Sequence, residues 1–171
     1  MIIININGPI NSGKTTTSKL LHFRIPDSLF IEVDDLLSDT EQQKLNLSRE
    51  EGWAERLHRL NKIIEQEKKL CRYENILFAY PLTDTTYRQW KSWEDDNTIF
   101  INITLAPSME VCLHNRGTRI LTEAEKNRIK QMYQEGYHCS KFADLIIDNG
   151  NQTPEETTEI ILQYIKKIIK K

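Results

Sequence analysis

The chain has 171 residues, with 23 basic and 25 acidic side chains and a formal net charge of −2. This length suits one domain with a sizeable core, so we expect a single domain over residues 1–171. The balanced charge gives no reason to expect a nucleic-acid or membrane partner, and no apolar run approaches the ~20 residues that a helix needs to cross a bilayer. Three widely spaced cysteines without metal-ligand spacing predict free thiols, and hence a cytoplasmic protein.

The chain begins with a strand, a glycine-containing loop and a helix in succession. The apolar, β-branched run at residues 1–6 predicts a buried strand. Because no charged segment precedes this run, we expect a first strand and not a signal peptide. Residues 8–15 read GPINSGKT and fit the spacing G-x-x-x-x-G-K-[ST]. In this context the loop and the helix start bind phosphate oxygens through backbone N–H groups.

The loop predicts a nucleotide site with separate roles for its residues. Lys14 is expected to reach the β- and γ-phosphates, and Thr15 to offer its hydroxyl to Mg²⁺. Glycine at positions 8 and 13 permits backbone conformations and close approaches that a Cβ would block. The residues predicted to bind nucleotide here are Gly8, Asn11, Ser12, Gly13, Lys14, Thr15 and Thr16.

Strands and helices alternate along the rest of the chain. Apolar runs predict further strands at residues 29–33, 76–80, 99–105 and 144–148. Capping patterns that begin at Ser48, Thr122 and Thr153 predict helix starts, whereas residues 36–47 predict a helix fragment or a mobile loop. The long helix after Ser48 carries an apolar stripe, and we expect its charged face to be solvated. This alternation is typical of an α/β domain with a parallel sheet.

In such a sheet, ligands bind beyond the carboxyl ends of the strands. Asp34, Tyr80 and Asn149 each follow a predicted strand, so we expect them to meet the loop at one edge. Residues 36–49 and the helix around Trp53 should form an acceptor pocket there.

Two neighbouring acids follow the second strand, whereas the third and fourth strands end without one. An aspartate here can accept the proton of a substrate hydroxyl, or hold Mg²⁺ through water. If the strand continues, alternation places Glu32 and Asp34 on one face and Asp35 on the other. The alternative is that Asp34 or Asp35 caps the following segment. We favour Asp34 as proton acceptor, although the pattern does not decide between Asp34 and Asp35.

Three arginines lie between and within two later helices. Arg116 and Arg119 flank Gly117, a candidate hinge, and arginines on a closing lid can stabilise a phosphoryl group in transfer. We therefore predict a short lid at approximately residues 116–123, the alternative being a pair of ordinary exposed arginines. Arg128 either reaches an anionic substrate group or pairs with Glu125 or Glu135.

These motifs resemble the small P-loop kinases, a group that includes shikimate kinase, gluconate kinase, chloramphenicol phosphotransferase and the nucleoside monophosphate kinases. The resemblance covers nearly the whole chain. It rests on residues 8–15, the strand end Glu32-Val33-Asp34, the arginines of the lid and the loop Asp148-Asn149-Gly150. It implies a P-loop NTPase fold, with a five-stranded parallel sheet flanked by helices on both faces. It also implies ATP and Mg²⁺ as cofactors, and transfer of the γ-phosphate to a hydroxyl of a small-molecule acceptor.

The resemblance also implies roles for individual residues. Asp34 would meet the acceptor hydroxyl, Arg116 and Arg119 would contact ATP, Arg128 would bind an acceptor carboxylate, and Asn149 would begin the loop that holds adenine. Lys14, Asp34 and the two lid arginines form the predicted catalytic set, and Thr15 and Asp34 the metal set. The residues predicted to bind acceptor are Glu32, Asp34, Asp35, Trp53, Tyr80 and Arg128.

The segment after the third strand departs from two members of the group. Shikimate kinases carry a glycine triplet where this chain has Tyr80-Pro81-Leu82, and adenylate kinases carry an arginine where it has Leu82. Both departures count against shikimate and nucleotide acceptors. The alternatives left open are a nucleoside monophosphate kinase, a non-catalytic nucleotide-binding switch and a toxin-like kinase of a cell-wall sugar nucleotide. The protein is expected to be a monomer or a homodimer.

Overall fold

The structure, a computed structural model, describes residues 1–114 and 120–169. Its centre is a sheet in which five strands lie in the order β2-β3-β1-β4-β5, with every described pairing parallel. The predicted five-stranded parallel sheet is therefore confirmed. The strands are β1 (Ile2–Asn7), β2 (Ser28–Ile31), β3 (Asn75–Ala79), β4 (Ile99–Leu105) and β5 (Leu145–Ile147).

Helices connect these strands. Residues 36–47, which were predicted as a helix fragment or a loop, contain a short helix. None of the described helices is long and apolar enough to span a membrane. The helices are α1 (Lys14–Arg24), α2 (Asp39–Lys44), α3 (Arg49–Leu70), α4 (Asp84–Lys91), α5 (Met109–Leu113), α6 (Glu123–Gln134) and α7 (Pro154–Ile169), with a 3₁₀ segment at Val33–Leu36.

Apolar clusters cover both faces of the sheet. Because side chains alternate along a strand, Ile3 faces one layer and Ile4 the other. On the first face, Leu60 of α3 and Trp90 of α4 pack on Phe78 of β3. On the second face, α1 and α7 pack on β1 and β4. The prediction of helices on both faces is confirmed.

The second strand ends earlier than predicted. β2 stops at Ile31, and the chain then turns into the 3₁₀ segment, where the Asp35 N–H donates to Glu32 O (3.2 Å). The guanidinium of Arg56, a residue of α3, donates to Leu37 O (2.6 Å). A helix side chain, and not a neighbouring strand, therefore binds the backbone that follows the 3₁₀ segment. The predicted strand end at residue 33 is therefore wrong, and the alternation of Glu32, Asp34 and Asp35, which required the strand to continue, does not apply.

Candidate active site

The loop between β1 and α1 has a backbone that its glycines make accessible. Gly8 has φ +138° and Gly13 has φ +95°, in the region that favours glycine. A Cβ on Gly8 would stand 2.4 Å from Leu105 O at the end of β4. The loop thus lies directly against the sheet edge, and position 8 has no room for a side chain.

The start of α1 differs from the start of every other described α-helix. The other six begin at a Ser or Thr whose hydroxyl accepts a backbone N–H. Gly13 makes no such cap, and the first turn of α1 contains no acidic residue. Its backbone N–H groups and the positive end of the helix dipole therefore suit an external anion.

The side chains around this helix start fit a bound phosphate chain. Lys14 Nζ donates to Pro9 O (2.6 Å), so its ammonium group lies across its own loop. Thr15 is half-buried in the first turn, whereas Thr16 is exposed. Phosphate oxygens, water and one hydroxyl suit Mg²⁺ better than an all-protein cage, and residues 1–114 and 120–169 contain no cluster of three acidic, His or Cys ligands.

Two asparagines hold the loop from outside. Asn149 is 4% exposed, and its Nδ2 donates to Ser12 O (3.0 Å). Asn11 Nδ2 donates to Cys112 O and His114 O, both at 2.9 Å. The end of β5 therefore meets the loop, as predicted, whereas the side chain of Asn11 binds the end of α5. Arg116 and Arg119 lie outside the described residues. The last two positions of the predicted lid are the N-cap, Thr122, and the first residue, Glu123, of α6.

The acids after β2 form a short anionic cluster. Asp34 and Asp35 are exposed, and Glu32 is half-buried with its Oε2 3.6 Å from Lys19 Nζ. Burial raises the pKa of Glu32 above its usual 4.5; Lys19 lowers it, and Asp34 and Asp35 raise it. The cluster therefore carries more negative charge than one lysine compensates.

Arg56 is the residue that sequence reasoning missed here. It is 8% exposed and donates to Leu37 O and to Gln42 Oε1 (3.1 Å), while its guanidinium lies 5.0 Å from the Trp53 ring centroid. We expected the charged residues of α3 to be solvated, which is wrong for this one. A signal was present, because position 56 lies three residues after Trp53 and four before Leu60, on the apolar stripe.

A cavity of about 540 Å³ opens beside these residues. It brings Asp34 together with the segment predicted to bind acceptor, whereas Asp35 is not among its walls. Its lining residues are Asp34, Leu37, Ser38, Asp39, Gln42, Arg49, Trp53 and Arg56.

Tyr80 lines neither this cavity nor a second one, but it packs beside Trp53, a wall of the first. Its ring meets Trp53 and Trp90 at centroid distances of 6.1 and 5.7 Å. Burial, with Tyr137 and Asp34 nearby, raises the pKa of its phenol to about 12, so the group keeps its proton at neutral pH. The second cavity, of about 780 Å³, is lined by Leu82, Thr83, Asp84, Arg128, Glu135, Gly136, Tyr137, Cys139, Ser140, Lys141 and Phe142.

Arg128 forms the ion pair that was one of its two predicted alternatives, whereas substrate binding stays a prediction. Its guanidinium Nη1 lies 2.9 Å from Glu135 Oε2, which realises one of the two predicted ion pairs. It also lines the second cavity, where an anionic group would compete with Glu135 for it.

Asparagines inside the sheet position the wall that carries Tyr80. Asn5 exchanges hydrogen bonds with Tyr80 N and O, both at 3.0 Å, and Asn7 Oδ1 accepts from Leu82 N (3.0 Å). Both asparagines are fully buried. Sequence reasoning passed over them, although two amides in an isoleucine strand are a visible signal.

Comparison with known proteins shows similarity along nearly the whole chain. No family model matches. A shikimate kinase from Sulfurihydrogenibium sp. (strain YO3AOP1) is 24% identical over 169 residues, which cover 96% of this chain and 98% of that protein.

Among solved structures, a gluconokinase from Sinorhizobium meliloti 1021 superposes with a TM-score of 0.65 at 15% identity, covering 96% of this chain and 91% of its own. Shikimate kinase from Acinetobacter baumannii in complex with shikimate superposes with a TM-score of 0.63 at 18% identity, covering 97% of this chain and 93% of its own. The chain therefore has the fold of the small P-loop kinases, and the resemblance predicted from its phosphate loop is confirmed.

Proposed function

We propose that the protein is an ATP-dependent phosphotransferase, shikimate kinase-like in plan, that moves the γ-phosphate to a hydroxyl of a small molecule. The observation that carries the proposal is the uncapped, glycine-bounded start of α1, with Lys14 at its head. This feature shares one sheet edge with a cavity that contains Asp34. Similarity to a curated shikimate kinase supports kinase chemistry, whereas the identity of the acceptor rests on the cavities alone.

The donor end binds the phosphates of ATP through backbone N–H groups and one lysine. The N–H groups of the loop and of the first turn of α1 hold phosphate oxygens, and Lys14 neutralises the β- and γ-phosphates. Thr15 would offer its hydroxyl to Mg²⁺, and Asp34 would help to hold the ion. ATP with Mg²⁺ supplies the phosphoryl group. Asn149 closes this end beside Ser12.

The acceptor end supplies a base. Asp34 accepts the proton of the acceptor hydroxyl as the new O–P bond forms and the bond to the departing ADP oxygen breaks. Asp34 is favoured over Asp35 because only Asp34 lines the cavity. Arg116 and Arg119 stabilise the charge on the transferred group.

The acceptor lies against Trp53 and Tyr80, with Glu32 and Asp35 setting the local charge. Arg56 is already bound to backbone and Gln42, and Arg128 to Glu135. A carboxylate that paired with either of these two arginines would therefore have to displace a protein group, which favours an uncharged, hydroxyl-bearing compound over shikimate. Leu82 and Tyr80 stand where a glycine triplet would leave more room.

Substitution of the two neighbouring aspartates tests the base. With an acceptor identified by ADP release, Asp34→Asn should lower kcat by about 10²-fold or more, while Asp35→Asn keeps most of it. Asp96→Asn, in an exposed turn, is the control. Transfer at the wild-type rate by Asp34→Asn would show that this carboxylate is not the proton acceptor.

A further inference from the structure

Asn149 is buried against the loop that the proposed function assigns to phosphate. Its Nδ2 donates to Ser12 O (3.0 Å), and a Cβ built on Gly13 would stand 3.6 Å from the same nitrogen. Its Oδ1 and the Ser12 Oγ are buried without a hydrogen-bond partner among the described residues. The amide is thus committed to the loop backbone, and a neighbouring polar atom remains unsatisfied.

The bond to Ser12 O determines which way the next N–H points. The C=O of Ser12 and the N–H of Gly13 belong to one planar trans peptide and point in opposite directions. With the carbonyl turned toward Asn149, the Gly13 N–H is turned away from it. That N–H donates to no acceptor within residues 1–114 and 120–169.

The segment that carries Asn149 is itself held in place. Asp148 Oδ1 accepts from Gly150 N (3.0 Å), and Thr153 and Glu156 form a reciprocal cap at the start of α7. Because α7 packs on α1 through Leu21 and Ile161, the amide is braced against the same helix whose start binds phosphate.

We propose that Asn149 is a positioning residue for phosphate binding: its amide fixes the Ser12–Gly13 peptide so that the Gly13 N–H is presented to the phosphates of a nucleotide. This inference rests on the proposed function in one respect, that the loop binds a nucleotide. It assigns Asn149 to the phosphates, whereas the family resemblance implies contact with adenine.

Ligands that differ in their phosphates separate the two assignments. Calorimetric titration with MgATP, MgADP, tripolyphosphate, AMP and adenosine compares wild type with Asn149→Ala. One lost hydrogen bond predicts that the affinities for MgATP, MgADP and tripolyphosphate fall by about tenfold, while adenosine and AMP bind nearly as before. Asn149→Asp should lose more affinity for these three ligands, because it places a carboxylate against Ser12 O. Asn127→Ala, on the exposed side of α6, is the control.

The amide resonance of Gly13 gives a second readout for folded variants. In wild type it should shift on addition of MgADP, and in Asn149→Ala this shift should shrink. Equal losses for adenosine and MgADP would place Asn149 on the base, and unchanged binding in a folded variant would equally overturn the inference. If wild type binds neither MgATP nor tripolyphosphate, the proposed function itself is wrong.

Discussion

The two ends of the candidate site are built from different material. The proposed donor end consists mainly of backbone, namely two glycines with positive φ and a helix start without a side-chain cap. One lysine side chain, that of Lys14, is added to it. The proposed acceptor end consists of side chains from separate segments, among them Asp34 and Trp53 in one cavity and Arg128 in the other, and it contains charges of both signs. Backbone recognition suits a ligand that never changes, whereas side-chain recognition can change with each acceptor. Substitutions at the two ends should therefore fail in different ways.

Replacing Gly8 should break the donor end and have the largest effect. In Gly8→Ala the new Cβ would meet Leu105 O at 2.4 Å, a backbone atom that cannot move aside alone. We expect MgATP binding to be lost in calorimetry. Gly136→Ala, which also has a positive φ (+82°) but no such clash, should lose stability and keep MgATP affinity. Retained MgATP binding by Gly8→Ala would contradict the assignment of this loop as the phosphate-binding site.

Removing Arg56 should disorder the acceptor end and leave the donor end intact. Arg56→Met leaves Leu37 O without its donor in a buried position, at about 1–3 kcal/mol, and also removes the donor to the partly buried Gln42 Oε1. We expect a lower Tm and weaker acceptor binding, with unchanged MgATP affinity. Lys62→Met, on the exposed side of α3, is the control. A Tm equal to wild type would show that Arg56 does not support the pocket.

Freeing Arg128 should weaken the preference for uncharged acceptors, and by a smaller factor. In Glu135→Gln the arginine loses its partly exposed ion pair, and such pairs are worth up to about 1 kcal/mol. Shikimate and gluconate, as carboxylate probes, should then bind up to about fivefold more tightly in titration. Glu155→Gln on α7 serves as the control. Unchanged binding of both probes would mean that Glu135 does not compete for an acceptor anion.

The smallest effect concerns Glu32 and pH. Its pKa is raised in the folded protein, mainly by burial, so the folded state holds this proton more tightly than the unfolded chain. Glu32 therefore contributes stability at low pH that is lost as the pH rises through its folded pKa. Glu32→Gln should raise Tm at neutral pH, and the gain should vanish below its usual pKa of 4.5. Glu65→Gln, on an exposed part of α3, should show no such pH-dependent gain.

The same contrast explains what could be predicted from the sequence. The strand–loop–helix order, β4 at its observed bounds and the capping boxes at Ser48 and Thr122 depend on neighbours within a few residues. The burial of Arg56 depends on a contact between residues 19 apart, Arg56 and Leu37. The bonds of Asn5 to Tyr80 span 75 residues. Local patterns do not contain such contacts, and the acceptor end is made of them.

Acceptor-dependent release of ADP tests the central claim most directly. Wild type with MgATP is assayed against neutral sugars and polyols, aminocyclitols, shikimate, gluconate and nucleoside monophosphates, beside Lys14→Met. The account predicts that a hydroxyl compound other than a nucleotide raises ADP release well above the rate in water, and that Lys14→Met abolishes this rise. ADP release that never rises with any acceptor would contradict a phosphotransferase, and a rise with nucleoside monophosphates alone would contradict the proposed acceptor class.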